Sequence, residues 1–229
     1  MSELFSIQLQ NRQQQGRDGV WLDLPTTTEQ VQAALRQIDI SSDNPQGLFI
    51  SGYFAEEEKR IAIPYNMVLA SNVDELNFLA ARLETLSAGE RAELNAALQT
   101  PQSELFSIGR ITDFPENVDY YVHLPDVHGP AQLGDYYLNR SGMVDMPEEW
   151  KGGIDTAQFG RYVAQQEQGA FTQYGYLVKS GDEWQKVHEG QPVPEEYRVL
   201  SFPAPEVLRD AANIPPPVQP ETEPQKVIP

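Results

Sequence analysis

The sequence predicts an α+β protein of three small consecutive parts, ending in a disordered proline-rich tail. Three observations carry that expectation. The hydrophobic period changes from two to the helical value of about 3.6 near Asn72, and becomes mixed again after Tyr120. The composition changes at Phe202, since eight of the eighteen prolines lie between Pro203 and Pro229. Between the ends, 40% hydrophobic and 10% aromatic residues are enough to build packed cores. The expected boundaries are a mixed β/α part over 1–70, a helical part over 71–119, a mixed α/β part over 120–202 and the extension over 203–229.

Leu4–Leu9 alternates apolar and polar residues as a half-buried strand does, and Val20–Leu24 follows a Gly-bearing turn, which suits a hairpin closed by Pro25. Thr27 and Gln30 have capping-box spacing for a helix through Ile38, with Val31, Ala34, Leu35 and Ile38 on one face. Leu48–Phe54 and Arg60–Ile63 read as third and fourth strands. In the second part, Asn72 with Glu75 and Ser87 with Glu90 repeat the capping box for two helices. The first carries the stripe Val73, Leu76, Leu79, Ala80, Leu83 and Leu86; the second ends at Thr100-Pro101. Short helical pieces are expected to continue to Pro115.

In the third part Tyr120–Leu124 reads as a strand, Pro130–Ser141 as a helix stopped by Gly142, and Asp155–Gln165 as another helix. Phe171–Lys179 and Tyr197–Phe202 read as strands. A short helix over Pro205–Ala212 is expected before a disordered 213–229. The hexapeptide Ser2–Ile7 recurs as Ser103–Ile108, but the flanks differ and coincidence is the better account.

Charge narrows the function. There are 34 acidic and 16 basic residues, a formal net of −18. The excess is spread out: nine acids and five bases over 1–70, ten and three over 71–130, eleven and six over 131–200, four and two over 201–229. Such a surface repels nucleic acid and anionic membrane and attracts proteins with basic grooves. Duplex DNA carries about one charge per 1.7 Å, so an elongated protein with a comparable carboxylate density suits a groove built for DNA. The residues Asp74, Glu75, Glu84, Glu90, Glu93, Asp113, Glu116, Asp119, Asp126, Asp135, Glu148 and Glu149 are expected to be mostly exposed and to trace one continuous negative surface.

Catalytic chemistry finds little support. Without cysteine there are no disulfides, thiolate nucleophiles or zinc–thiolate sites. Asp126 and His128 supply two potential metal ligands with no third in a recognised spacing, and phosphate-loop and nucleophile-elbow patterns are absent. No cofactor or metal is expected, and no enzymatic activity. No apolar run reaches the length of a membrane span, and the N-terminus lacks the pattern of a signal peptide, so a cytoplasmic location is expected.

Five segments then appear in a telling order: Val20-Trp21-Leu22-Asp23-Leu24-Pro25; Asn72-Val73-Asp74-Glu75-Leu76-Asn77-Phe78-Leu79-Ala80; Leu133-Gly134-Asp135-Tyr136-Tyr137-Leu138; Ile154-Asp155-Thr156-Ala157-Gln158-Phe159-Gly160-Arg161; and Gly169-Ala170-Phe171-Thr172-Gln173-Tyr174-Gly175-Tyr176. Together they resemble the ArdA-type antirestriction proteins of conjugative elements over about residues 4–178. Phe159 stands where that family carries Tyr, and 180–202 and the proline-rich tail lie beyond its usual end.

The resemblance implies an elongated three-part homodimer that mimics bent B-form DNA and blocks the DNA-binding subunits of type I restriction–modification enzymes. It places Leu133, Gly134, Tyr136 and Tyr137 in the antirestriction motif. The Leu133, Tyr136 and Tyr137 stripe reads as a dimer interface that Gly134 lets a second backbone approach; the alternative is inward packing against the Phe171–Val178 strand. A second functional reading keeps the fold but makes the chain an acidic scaffold or regulator with another basic-groove target.

Overall fold

The computed structural model describes residues 4–200 apart from 15, 17, 42–45, 57–59 and 102. The tail and its expected short helix therefore lie outside the described residues. Strands β1 (Phe5–Asn11), β2 (Val20–Leu24) and β3 (Leu48–Phe54) form an antiparallel sheet in the order β2-β1-β3. Phe5, Ile7 and Leu9 alternate into the core beside Leu22 and Leu24. Helix α1 (Thr28–Gln37) covers that face with Val31, Ala34 and Leu35, and its Thr27–Gln30 capping box forms as the spacing predicts.

Helices α2 (Tyr65–Ala70), α3 (Val73–Glu84), α4 (Ala88–Gln99) and α5 (Ile108–Thr112) follow. Both remaining capping boxes are present: Asn72 Oδ1 accepts from the Glu75 amide, and Ser87 Oγ from that of Glu90, each glutamate reciprocating at the cap. The third part holds β4 (Tyr121–Leu124), α6 (Pro130–Asn139), α7 (Glu148–Lys151), α8 (Thr156–Glu167), β5 (Ala170–Thr172) and β6 (Gly175–Lys179). Its sheet is antiparallel in the order β4-β6-β5. The strand expected over Phe171–Lys179 is thus a hairpin. Gly175 turns it at φ 120°, where a side chain would strike the Leu124 carbonyl.

Neither Arg60–Ile63 nor the described part of Tyr197–Phe202, residues 197–200, forms the expected strand, and the reason is the same for both. Around Arg60–Ile63, the Asn95 side chain on α4 takes the Ala62 amide at 2.7 Å and donates to the Arg60 carbonyl at 2.9 Å. One side-chain amide thereby does what a neighbouring strand would do. Around Tyr197, the chain makes a 3-10 turn over Glu195–Tyr197. The Tyr197 carbonyl then accepts from Asn77, while Asp74 Oδ1 accepts from the Val199 and Leu200 amides at 2.8 and 2.9 Å.

One hydrophobic cluster runs from Leu4 to Leu200. It crosses the boundary drawn at residue 70 and takes in Tyr121 of β4 and Leu177 of β6. A second, smaller cluster of Val127, Leu133 and Tyr176 lies under α6 and α8. Among the described residues no helix is long and apolar enough to cross a membrane.

Helices α6 and α8 meet backbone to backbone. A methyl group at Gly134 would overlap the Thr156 carbonyl, and one at Gly160 the Pro130 carbonyl. Neither obstacle is a flexible side chain, so the helices themselves must move. Gly134→Ala should therefore cost about 3 kcal/mol in urea denaturation, whereas Gly129→Ala, with open space at its Cβ, should cost less than about 1 kcal/mol.

Candidate functional site

The twelve carboxylates expected on the surface divide sharply. Asp119, Asp126, Glu148 and Glu149 are exposed, and Glu148 pairs with Lys151 at 2.9 Å. Asp135 is partly exposed and pairs with Arg140 at 3.1 Å; Glu116, also partly exposed, pairs with Arg82. Glu75 and Glu90 complete capping boxes, and Glu84 is half-buried at the end of α3. Asp74 is half-buried and holds the Val199 and Leu200 amides.

Asp113 overturns its expectation outright. It is fully buried, with Oδ1 accepting from the His188 amide at 2.6 Å and Oδ2 from the Glu189 amide at 3.2 Å. A buried carboxylate needs such donors, and here a distant loop supplies them. The surface reading failed because its partners lie 75 and 76 residues away.

Glu93 is a second departure. Burial, then the neighbouring charges of Glu90 and Asp119, push its pKa up to about 8. Its Oε1 has no hydrogen-bond partner. At neutral pH it is mostly protonated and adds little to the negative surface. Glu90 itself goes the other way, held below the usual carboxylate range by the Ser87 side chain and amide.

The bases of this stretch are turned inward. Arg110 is buried between Glu104 at 3.1 Å and Glu189 at 2.9 Å, its guanidinium over the Phe106 and Trp184 rings. Arg82 is paired with Glu116, and Arg91 reaches the Glu84 carbonyl at 3.5 Å. Residues 71–130 contain no other Lys or Arg. In contrast, Asp119, Asp126, Asp145, Glu149, Glu183, Glu195 and Glu196 are exposed and have no ion-pair partner among the described residues.

The motif on α6 also needs correction. Leu133 and Gly134 are buried within the chain itself, Leu133 in the small cluster with Val127 and Tyr176, and Gly134 against α8. They are not available to a second copy. Tyr136 and Tyr137 are half-buried, and the Tyr137 hydroxyl donates to Glu167 at 2.5 Å; Tyr176 donates to the same carboxylate at 3.1 Å. Tyr137 is thus part of the α6–α8 packing, and inward packing is what an amphipathic helix with this stripe achieves. The most exposed apolar residues of the third part are others: Met143 at 75%, Trp150 at 66% and Tyr162 at 59% exposure.

Asp126 and His128 are exposed, and among the described residues no group of three potential metal ligands is found. What sequence reasoning missed is the last described stretch, 180–200, which straps across the helical part. Asn117 exchanges hydrogen bonds with Gln185, Asp113 holds His188 and Glu189, Asn77 holds Tyr197, and Phe78 stacks edge-on to His188. The one available signal was Asn77, a polar residue set among the apolar residues of α3.

The family model described as antirestriction protein (ArdA) matches residues 15–178, and the chain belongs to that family. No curated protein matches the chain. The strap therefore begins where the matched residues end.

Two outcomes follow from this geometry. Glu93 keeps a proton in the folded state that the unfolded chain releases near the ordinary value of 4.5. Folding is therefore progressively disfavoured as pH rises from there to about 8. Glu93→Gln, which resembles the protonated form, should leave thermal stability unchanged at pH 4 and raise it increasingly up to pH 8.5. Asp113→Ala should lose about 2–3 kcal/mol by denaturant titration and speed hydrogen exchange at residues 185–200, because two part-buried amides lose their carboxylate acceptor.

Proposed function

We propose that this chain is an acidic DNA mimic that occupies the DNA-binding groove of a type I restriction–modification enzyme. It acts as a homodimer in the cytoplasm, without turnover, and protects incoming mobile DNA. Family membership supplies the antirestriction role. The observation that carries the mimicry is the asymmetry of the charges: the bases of 71–130 are spent on internal partners, while exposed carboxylates such as Asp119, Asp126 and Glu149 have no ion-pair partner among the described residues. A surface of that kind competes with phosphates for Lys and Arg in a basic groove. Exposed Met143, Trp150 and Tyr162 support self-association through the third part, since large aromatics and Met favour interface cores.

The test is protection of DNA from cleavage by a type I enzyme across a salt series. Inhibition should weaken steeply from 50 to 300 mM salt, because exposed charges are screened within about 8 Å near 0.15 M. Neutralising any one of Asp119, Asp126, Glu149 or Glu183 should weaken inhibition at most about fivefold, and all four together on the order of 100-fold. Salt-independent inhibition would remove the mimic reading. For the dimer, Trp150→Asp with Tyr162→Asp should sediment as a folded monomer.

A further inference from the structure

A groove of about 1010 Å³ opens between the start of α3, the start of α5 and the strap. Its walls are largely apolar, with Met67, Ala70, Phe78, Ile108, Val193 and Leu200 among them. That volume is at the top of the range that holds drug-sized ligands, about 300–1,000 Å³. None of the exposed carboxylates used above lines it, so the groove is separate from the negative surface and the inference does not depend on the proposed mimicry.

The described chain ends on this groove. Asp74 grips the Val199 and Leu200 amides, which fixes Leu200 in the groove wall. Twenty-nine residues follow, and the first of them are Ser201-Phe202-Pro203-Ala204-Pro205-Glu206-Val207-Leu208-Arg209. Phe202 is two residues beyond Leu200, hence within about 7 Å of it. A residue before proline is biased toward extended backbone, and Phe202-Pro203 and Ala204-Pro205 are two such pairs, which lowers the entropy lost on docking.

The geometry points to this segment, Phe202–Leu208 of the same chain, as the occupant of the groove. Phe202, Val207 and Leu208 supply the apolar side chains that the walls lack a partner for. Glu206 and Arg209 carry charges opposite to Arg198 and Glu189, both of which line the groove. The one-residue link through Ser201 gives the segment a large effective concentration, in the millimolar range for short linkers, over any peptide from another molecule.

The chain has no cysteine, so trapping by disulfide is unambiguous. Ala70→Cys or Gln191→Cys, both lining the groove, would each be combined in the full-length chain with Phe202→Cys, Val207→Cys or Leu208→Cys, and with Val227→Cys as a distant control. Mild oxidation should give an intramolecular disulfide with at least one of the near positions and none with the control, since bridging needs Cα atoms within about 7 Å. A disulfide between two chains would overturn the assignment in favour of a second copy, and the absence of any disulfide, or equal trapping of the control, would overturn it altogether. As an independent reading, Leu208→Asp should speed trypsin cleavage after Arg209 about tenfold or more, because cleavage tracks the undocked population. An unchanged rate would also overturn it.

Discussion

Capture of distant backbone by polar side chains of the helical part is the interaction on which the arrangement depends. Asn77 takes the Thr26 amide at 2.7 Å and gives to the Tyr197 carbonyl at 3.0 Å, so one side chain joins the first sheet to the strap. Asn95 pins the stretch before α2, Asn117 pins Gln185, and Asp113 pins His188 and Glu189. Segments with no strand partner of their own become ordered without leaving backbone groups unsatisfied. The helices are a frame for irregular chain as much as a packed layer.

The same economy governs charge. In residues 71–130, six of the ten acids have a task within the fold that the structure makes explicit: capping, pairing, or holding an amide. Glu93 is not among them, and as a mostly protonated side chain it adds little charge either. The excess of acid over base in a sequence is thus a poor guide to which carboxylates face a partner. The better guide is where the bases go, since an Arg buried between two glutamates cannot neutralise a surface.

Most local structure was legible in the sequence because it is locally determined. Three capping boxes, the β1–β2 hairpin, α3, α4, α6 and α8 depend on residues within a few positions of one another. The stretches 60–63 and 197–200, both expected as strand, were apolar enough to pair, and the competing partner was a side chain 33 to 126 residues away. The α6 stripe was read correctly as apolar; its direction was not, because Gly134 serves an approach to α8 and leaves Leu133 inside. Asp113 shows the general difficulty: nothing near an aspartate in sequence reveals that two amides of a remote loop converge on it.

The strap has a consequence for ancestry. It lies beyond the residues that match the family, yet the groups that hold it, Asp74, Asn77, Asp113 and Asn117, lie inside them. A relative that stops where the match stops would leave these four side chains to bond water in place of backbone, so nothing in the fold would hold those residue types there. The extension and its receptors are therefore expected to be inherited as a set. Chains with an apolar or small residue in place of Asp113 should be the short ones, and the length of an antirestriction protein of this kind should be readable from a position in the middle of it.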